Sequence, residues 1–114
     1  MVEIDTDYDQ QTKTITLTIN KDFDYQLVNA FSAAYQHPAK HYVLNMSKVG
    51  YLDSSALGML LSLREHAFAQ DADVSIVNMN DVVLEIFRVL NFHKIFKPAY
   101  SKSNFRVTWL ATPE

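Results

Sequence analysis

Apolar and polar residues alternate in TKTITLTIN, where Ile15, Leu17 and Ile19 interleave with Thr14, Thr16 and Thr18. A strand sends successive side chains to opposite faces, so this period of two predicts a half-buried strand. Val2, Ile4, Thr6 and Tyr8 alternate more loosely, and the polar DQQTK lies between the two runs, which predicts a β-hairpin. The period then changes. In DFDYQLVNAFSAAYQHP, Leu27, Val28, Phe31, Ala34 and Tyr35 recur at helical spacing, with Asp22 or Asp24 able to cap the start and Pro38 to stop the helix.

HYVLNM is a short apolar run of the kind found in a central strand covered on both faces. A helix is predicted from about Ser54 to Gln70, followed by a strand in DVSIVNM. Together these make a strand–helix–strand unit with parallel strands. In NDVVLEIFRVLNF, Val82, Val83, Ile86, Phe87 and Leu90 are expected on one helical face, with Asn80 or Asp81 as the cap. Asn91 suits the left-handed residue that often ends a helix. KIFKPAY is read as an edge strand limited by Pro98, and NFRVTWL is strand-like without an evident partner. The order β-β-α-β-α-β-α-β predicts one α/β domain, a mixed and mostly parallel sheet with helices packed against it. Leu44, Leu57, Leu60, Ile76, Ile86 and Phe87 are expected in its core.

Length and composition narrow the class. One domain accounts for 114 residues, and 48% apolar with 20% charged residues is the balance of a globular protein. The formal net charge is −3 and the basic residues are scattered, so no nucleic-acid partner is expected. No run approaches the ~20 apolar residues of a membrane helix, and the opening MVEIDTDYDQ is too acidic for a signal peptide, so no membrane insertion is expected. With no cysteine there is no disulfide framework or thiolate chemistry, which suits a cytoplasmic protein.

The candidate chemistry lies in YLDSSALGML. Asp53 and Ser54 stand where the chain enters the helix, and either oxygen can cap it. One such residue suffices for a cap, so the extra polar groups ask for another reason. Gly58 costs about 1 kcal/mol relative to alanine inside a helix, so tight packing or close approach of another molecule is expected there. Leu57, Leu60, Leu61 and Phe68 are expected to form one broad apolar face, with Ala56, Leu63 and Ala67 beside it. The stripe of Ser55, Gly58, Met59, Ser62 and His66 would then be a small, uncharged docking surface. A phosphate on Ser54 would meet free N–H groups at the positive end of the helix dipole while adding charge to that surface.

LNMSKVGYLDSSALGMLLSL resembles the signature of STAS domains, in particular the bacterial anti-sigma-factor antagonists. Asp53, Ser54, Ser55, Ala56, Leu57 and Gly58 match the family's Asp-Ser-Ser-Gly/Ala-Leu-Gly in order. In INKDFDYQLVNAF, Phe23 and Asp24 match the family's strand-to-helix segment, whereas Asn20 and Lys21 stand near the place of its glycine. The resemblance runs from about Thr14 to Ala99; residues 100–114 do not follow the pattern. It implies a domain without catalysis of its own and without a cofactor. Ser54 would accept phosphate from a partner serine kinase of the histidine-kinase-like ATPase type, often also an anti-sigma factor, and a PP2C-type phosphatase would remove it. The unmodified form would bind that kinase and release the sigma factor. Asp24, Asp53, Ser55, Gly58, Met59 and Ser62 would then belong to the partner-binding surface.

Other constellations are weak. His37 and His41 are four apart, but Pro38 interrupts the helix that would align them as metal ligands. No Gly-x-Ser-x-Gly elbow surrounds Ser54 or Ser55, and with only Gly50 and Gly58 there is no glycine loop for phosphate. Two alternatives to sigma-factor control are a STAS regulator of biofilm, motility or stress signalling, and an accessory STAS subunit of a lipid transporter.

Overall fold

The computed structural model describes residues 2–91 and 107–109. The hairpin forms as expected: β1 (Ile4–Asp9) runs antiparallel to β2 (Thr14–Ile19). Next, a 3-10 turn over Tyr25–Leu27 leads into α1 (Val28–Ala34), and β3 (His41–Asn45) follows. α2 (Ser55–Ala69), β4 (Asp73–Val77), α3 (Asp81–Val89) and β5 (Val107–Trp109) complete the order. The sheet order is β1-β2-β3-β4-β5, and every pairing after the hairpin is parallel. Of the strand-like NFRVTWL, Val107–Trp109 pair with β4, while KIFKPAY lies outside the described residues.

Register explains the core. Ile15 pairs with Tyr42 and Tyr42 with Val74; Leu17 pairs with Leu44 and Leu44 with Ile76. All six are buried on one sheet face, and the apolar sides of the helices join them in a single cluster. The opposite face carries Thr16, Val43 and Ser75 in one row and Thr18, Asn45 and Val77 in the next, all half-buried. The double cover expected for β3 is therefore corrected: its burial alternates, because the helices pack on one face.

The expected boundaries hold where caps are strong. Asp24 caps the turn before α1, its carboxylate accepting from Gln26 N–H at 3.0 Å. Asn80 caps α3 through Val83 N–H at 2.8 Å, and Asn91 sits at a φ of 63°. Helix orientation needs correction. In α2 the buried residues are Ala56, Met59, Leu60, Leu63 and Ala67, a face turned by about one residue, or roughly 100°, from the expected one. Met59 is only 6% exposed and belongs to the core, so it is no part of a docking stripe. Leu57 is half-buried at the flank. In α3, Val83, Leu84 and Phe87 face the core, while Ile86 is half-buried and Val82 is 60% exposed. The sequence misleads in both helices because apolar residues occupy more than one face.

Candidate functional site

β2, β3 and β4 run in the same direction, so the loops that follow them leave one end of the sheet. This is the end at which open parallel sheets commonly bind other molecules. Hydrogen bonds hold these loops together. Phe23 and Leu52 form an isolated parallel bridge, with Phe23 N–H donating to the Tyr51 carbonyl and Asp53 N–H to the Phe23 carbonyl. Asp22 accepts from Gly50 N–H at 3.3 Å, and the Asn80 side-chain amide donates to the Val49 carbonyl at 3.2 Å. Asp24 directly follows Phe23, so the bridge ties its segment to the one that leads into α2.

At the start of α2 the two serines differ. Oδ1 of Asp53 accepts the Ser55 backbone N–H at 2.9 Å and also the Ser55 hydroxyl. Ser55 is half-buried by this arrangement. Ser54 occupies the cap position with helical φ and ψ, but its side chain makes no capping hydrogen bond and is exposed. The cap expected of either residue thus belongs to Asp53 alone. Asp53 uses one carboxylate oxygen for two donors, satisfying a backbone N–H that the helix leaves free.

Ser54 also lines a groove of about 400 Å³ between the start of α2 and α3. Tyr51, Leu52, Ile86, Val89 and Leu90 supply its apolar surface, and Asp53 and Glu85 its carboxylates. Tyr51 and Val89, both lining the groove, are 52% and 66% exposed. The sequence reading missed this groove. Val89, which lies outside the expected core face of α3, is an apolar residue of its lining, but the walls meet only in the folded domain.

Gly58 and Ser62 are exposed, on the side of α2 that also presents Ser54 and Glu65. A Cβ added at Gly58 would meet nothing within 4 Å, so packing inside the domain does not require glycine there. His66, expected in the same stripe, is instead packed between Tyr35 and Tyr42, with ring centroids 5.0 and 5.7 Å away. Burial holds its imidazole below the ordinary value, partly offset by a hydrogen bond with the Tyr35 backbone. His41 pairs with Asp73 at 2.9 Å, and His37 packs on Tyr8. Among the described residues no group of three or more His, Asp or Glu side chains could hold a metal ion, and no helix is long and apolar enough to cross a membrane.

This α/β domain, with β2, β3 and β4 parallel and an Asp-Ser-Ser helix start at one end of the sheet, has the architecture of a STAS domain. Residues 6–97 match the STAS_2 family, described as Mlab, STAS domain, and the chain belongs to that family. A STAS-domain containing protein of Pseudomonas aeruginosa strain UCBPP-PA14 is 40% identical over 86 residues, covering 73% of this chain and 85% of that protein. Two solved structures share the fold. A Thermotoga maritima protein assigned as an anti-sigma factor antagonist superposes with a TM-score of 0.64 at 14% identity, covering 92% of this chain and 85% of its own. The anti-sigma factor antagonist SpoIIAA in its unphosphorylated form gives 0.60 at 16% identity, covering 75% and 81%.

Proposed function

We propose that this protein is a phospho-switched binding module, an anti-sigma-factor antagonist of the cytoplasm. In its unphosphorylated form it binds a serine kinase of the histidine-kinase-like ATPase type that is also an anti-sigma factor. Phosphorylation of Ser54 ends that binding, and a PP2C-type phosphatase restores it. The observation that carries this reading is the exposed, uncapped Ser54 side chain at the edge of an apolar groove. Transfer joins the Ser54 oxygen to the γ-phosphorus of ATP as the bond to the bridging oxygen breaks. ADP leaves, and the hydroxyl proton passes to a base of the kinase.

The groove supplies an apolar contact surface and Gly58 an unobstructed approach to α2. Asp24, Asp53, Ser55 and Ser62 complete the partner-facing surface. A phosphate on Ser54 is tolerated by the domain, because the start of a helix favours negative charge. A partner pressed against the same place must desolvate it or oppose it with like charge, at a cost of a few kcal/mol.

The test is calorimetric titration of wild type, Ser54→Ala, Ser54→Asp and phosphorylated protein against the serine kinase that its own cell supplies, isolated by affinity capture on wild type. Ser54→Ala is expected to bind like wild type, Ser54→Asp more weakly, and the phosphoprotein least. Equal affinities for all four overturn the reading. Capture of a transport ATPase instead of a kinase would favour the lipid-transporter alternative.

A further inference from the structure

Two adjacent serines open α2, and a kinase reaching this helix end meets them in different states. The Ser55 hydroxyl and the Ser55 N–H both donate to Oδ1 of Asp53, whereas the Ser54 side chain is exposed and makes no capping hydrogen bond. We propose that Asp53 is the specificity-determining residue of the phosphorylation site: by holding Ser55, it confines the phosphoryl group to Ser54. The proposal rests on the reading of this helix start as a phosphoacceptor and adds what chooses between its two hydroxyls.

The chemistry at Ser55 is unfavourable on two counts. Transfer from ATP requires the serine oxygen to approach the γ-phosphorus and to give up its proton, and at Ser55 that proton is engaged by Asp53. The product is worse still. A phosphate of about −1.5 to −2 charges would be bonded to an oxygen at hydrogen-bond distance from a carboxylate, where like charges repel strongly. A carboxylate beside a hydroxyl is also the arrangement of a general base, which would activate Ser55. Placement argues against that role. Ser55 is half-buried with its oxygen turned to Asp53, while Ser54 lines the groove.

Asp53 therefore acts as a positioning residue, through Ser55, and its removal has a signature that loss of helix stability lacks. Phosphorylation should appear on a different residue. Losing a hydrogen bond to a charged group changes a ratio by roughly tenfold or more. The Ser55-to-Ser54 label ratio is expected to rise by at least about that factor in Asp53→Ala. Asp53→Asn keeps an acceptor for both donors and is expected to leave the label on Ser54.

The experiment expresses the full chain in its native host, so that the cell's own kinase acts, and maps phosphate by fragmentation mass spectrometry that separates the two serines. Wild type is expected to carry label on Ser54 alone, and Ser54→Ala none. The double variant Asp53→Ala/Ser54→Ala is expected to regain label, on Ser55. Circular dichroism checks folding, and Asp53→Gly, a milder change at a helix start, replaces Asp53→Ala if that variant does not fold. A protected Ser55 hydroxyl proton, seen by NMR in wild type and lost in the Asp53 variant, reads the restraint directly. Label confined to Ser54 in Asp53→Ala, with the double variant unlabelled, overturns the proposal while leaving the phospho-switch intact. No label on any form overturns both, and label on Ser55 in wild type overturns the assignment of Ser54.

Discussion

Phe23 and Leu52 face each other across an isolated parallel bridge, and both side chains are buried. Phe23 N–H reaches the Tyr51 carbonyl at 3.0 Å, and Asp53 N–H reaches the Phe23 carbonyl at 3.2 Å. Two loops far apart in sequence are thereby fixed to each other, and with them Asp24 and the start of α2. Phe23 also packs on Phe31 of α1, with ring centroids 5.2 Å apart.

Truncating this anchor should therefore be costly. Phe23→Ala is expected to lower stability by about 3–5 kcal/mol, as for other buried aromatic residues. Urea denaturation followed by circular dichroism measures it. A loss below about 1 kcal/mol would show that the site can collapse around the missing ring.

The orientation of α2 can be checked with neighbouring residues. Met59→Ala and Leu60→Ala, both in the core, are each expected to cost about 2–5 kcal/mol. Gly58→Ala should instead stabilise the helix by up to about 1 kcal/mol, since its Cβ meets open space. A stabilising Met59→Ala would mean that this face of the helix points outward.

Gly58→Arg separates folding from binding. The added side chain projects from the exposed side of α2, so the thermal unfolding midpoint is expected to stay near that of wild type. Affinity for the partner kinase is expected to fall by at least about tenfold, or about 1.4 kcal/mol. Undiminished affinity in titration calorimetry would remove this side of α2 from the partner surface.

Acid should weaken the fold through His66. Burial depresses its imidazole in the folded state relative to the ordinary value of 6.5, so the unfolded chain binds the proton more readily. The stability contributed by neutral His66 is full above about pH 6.5 and is lost as pH falls through that value toward the lower folded one. Thermal unfolding of wild type and His66→Phe between pH 7.5 and 5 tests this. The variant keeps a ring between Tyr35 and Tyr42, so its midpoint should fall less on acidification. Identical pH profiles would assign the acid sensitivity to other groups.

Much of this architecture is legible in residue order. The threonine alternation fixes which side of β2 is buried, and Asn80 and Asn91 mark both ends of α3. Asp53 and Asp24 were readable because each accepts a backbone N–H at a helix start or turn, whereas Ser54 does not take the capping role the sequence also allowed it. The rotation of α2 was not. Its core face uses Ala56, Ala67 and Met59, small or adaptable side chains that periodicity ranks below Leu57 and Leu61. The groove was also hidden, since it forms between the start of α2 and α3, which are brought together only by the fold. The unequal fates of Ser54 and Ser55 depend on where one carboxylate oxygen points, which spacing alone does not say.

The shared direction of β2, β3 and β4 divides the labour between residues. Residues 20–24, 46–54 and 78–80 connect those strands to the helices that follow, all at one end. The paired rows Ile15–Tyr42–Val74 and Leu17–Leu44–Ile76 lie within the strands themselves. Most positions that would change a partner are therefore different from those that hold the sheet together. On the proposed reading, exchanging exposed positions in these loops is expected to redirect recognition while the interior rows stay as a constant chassis.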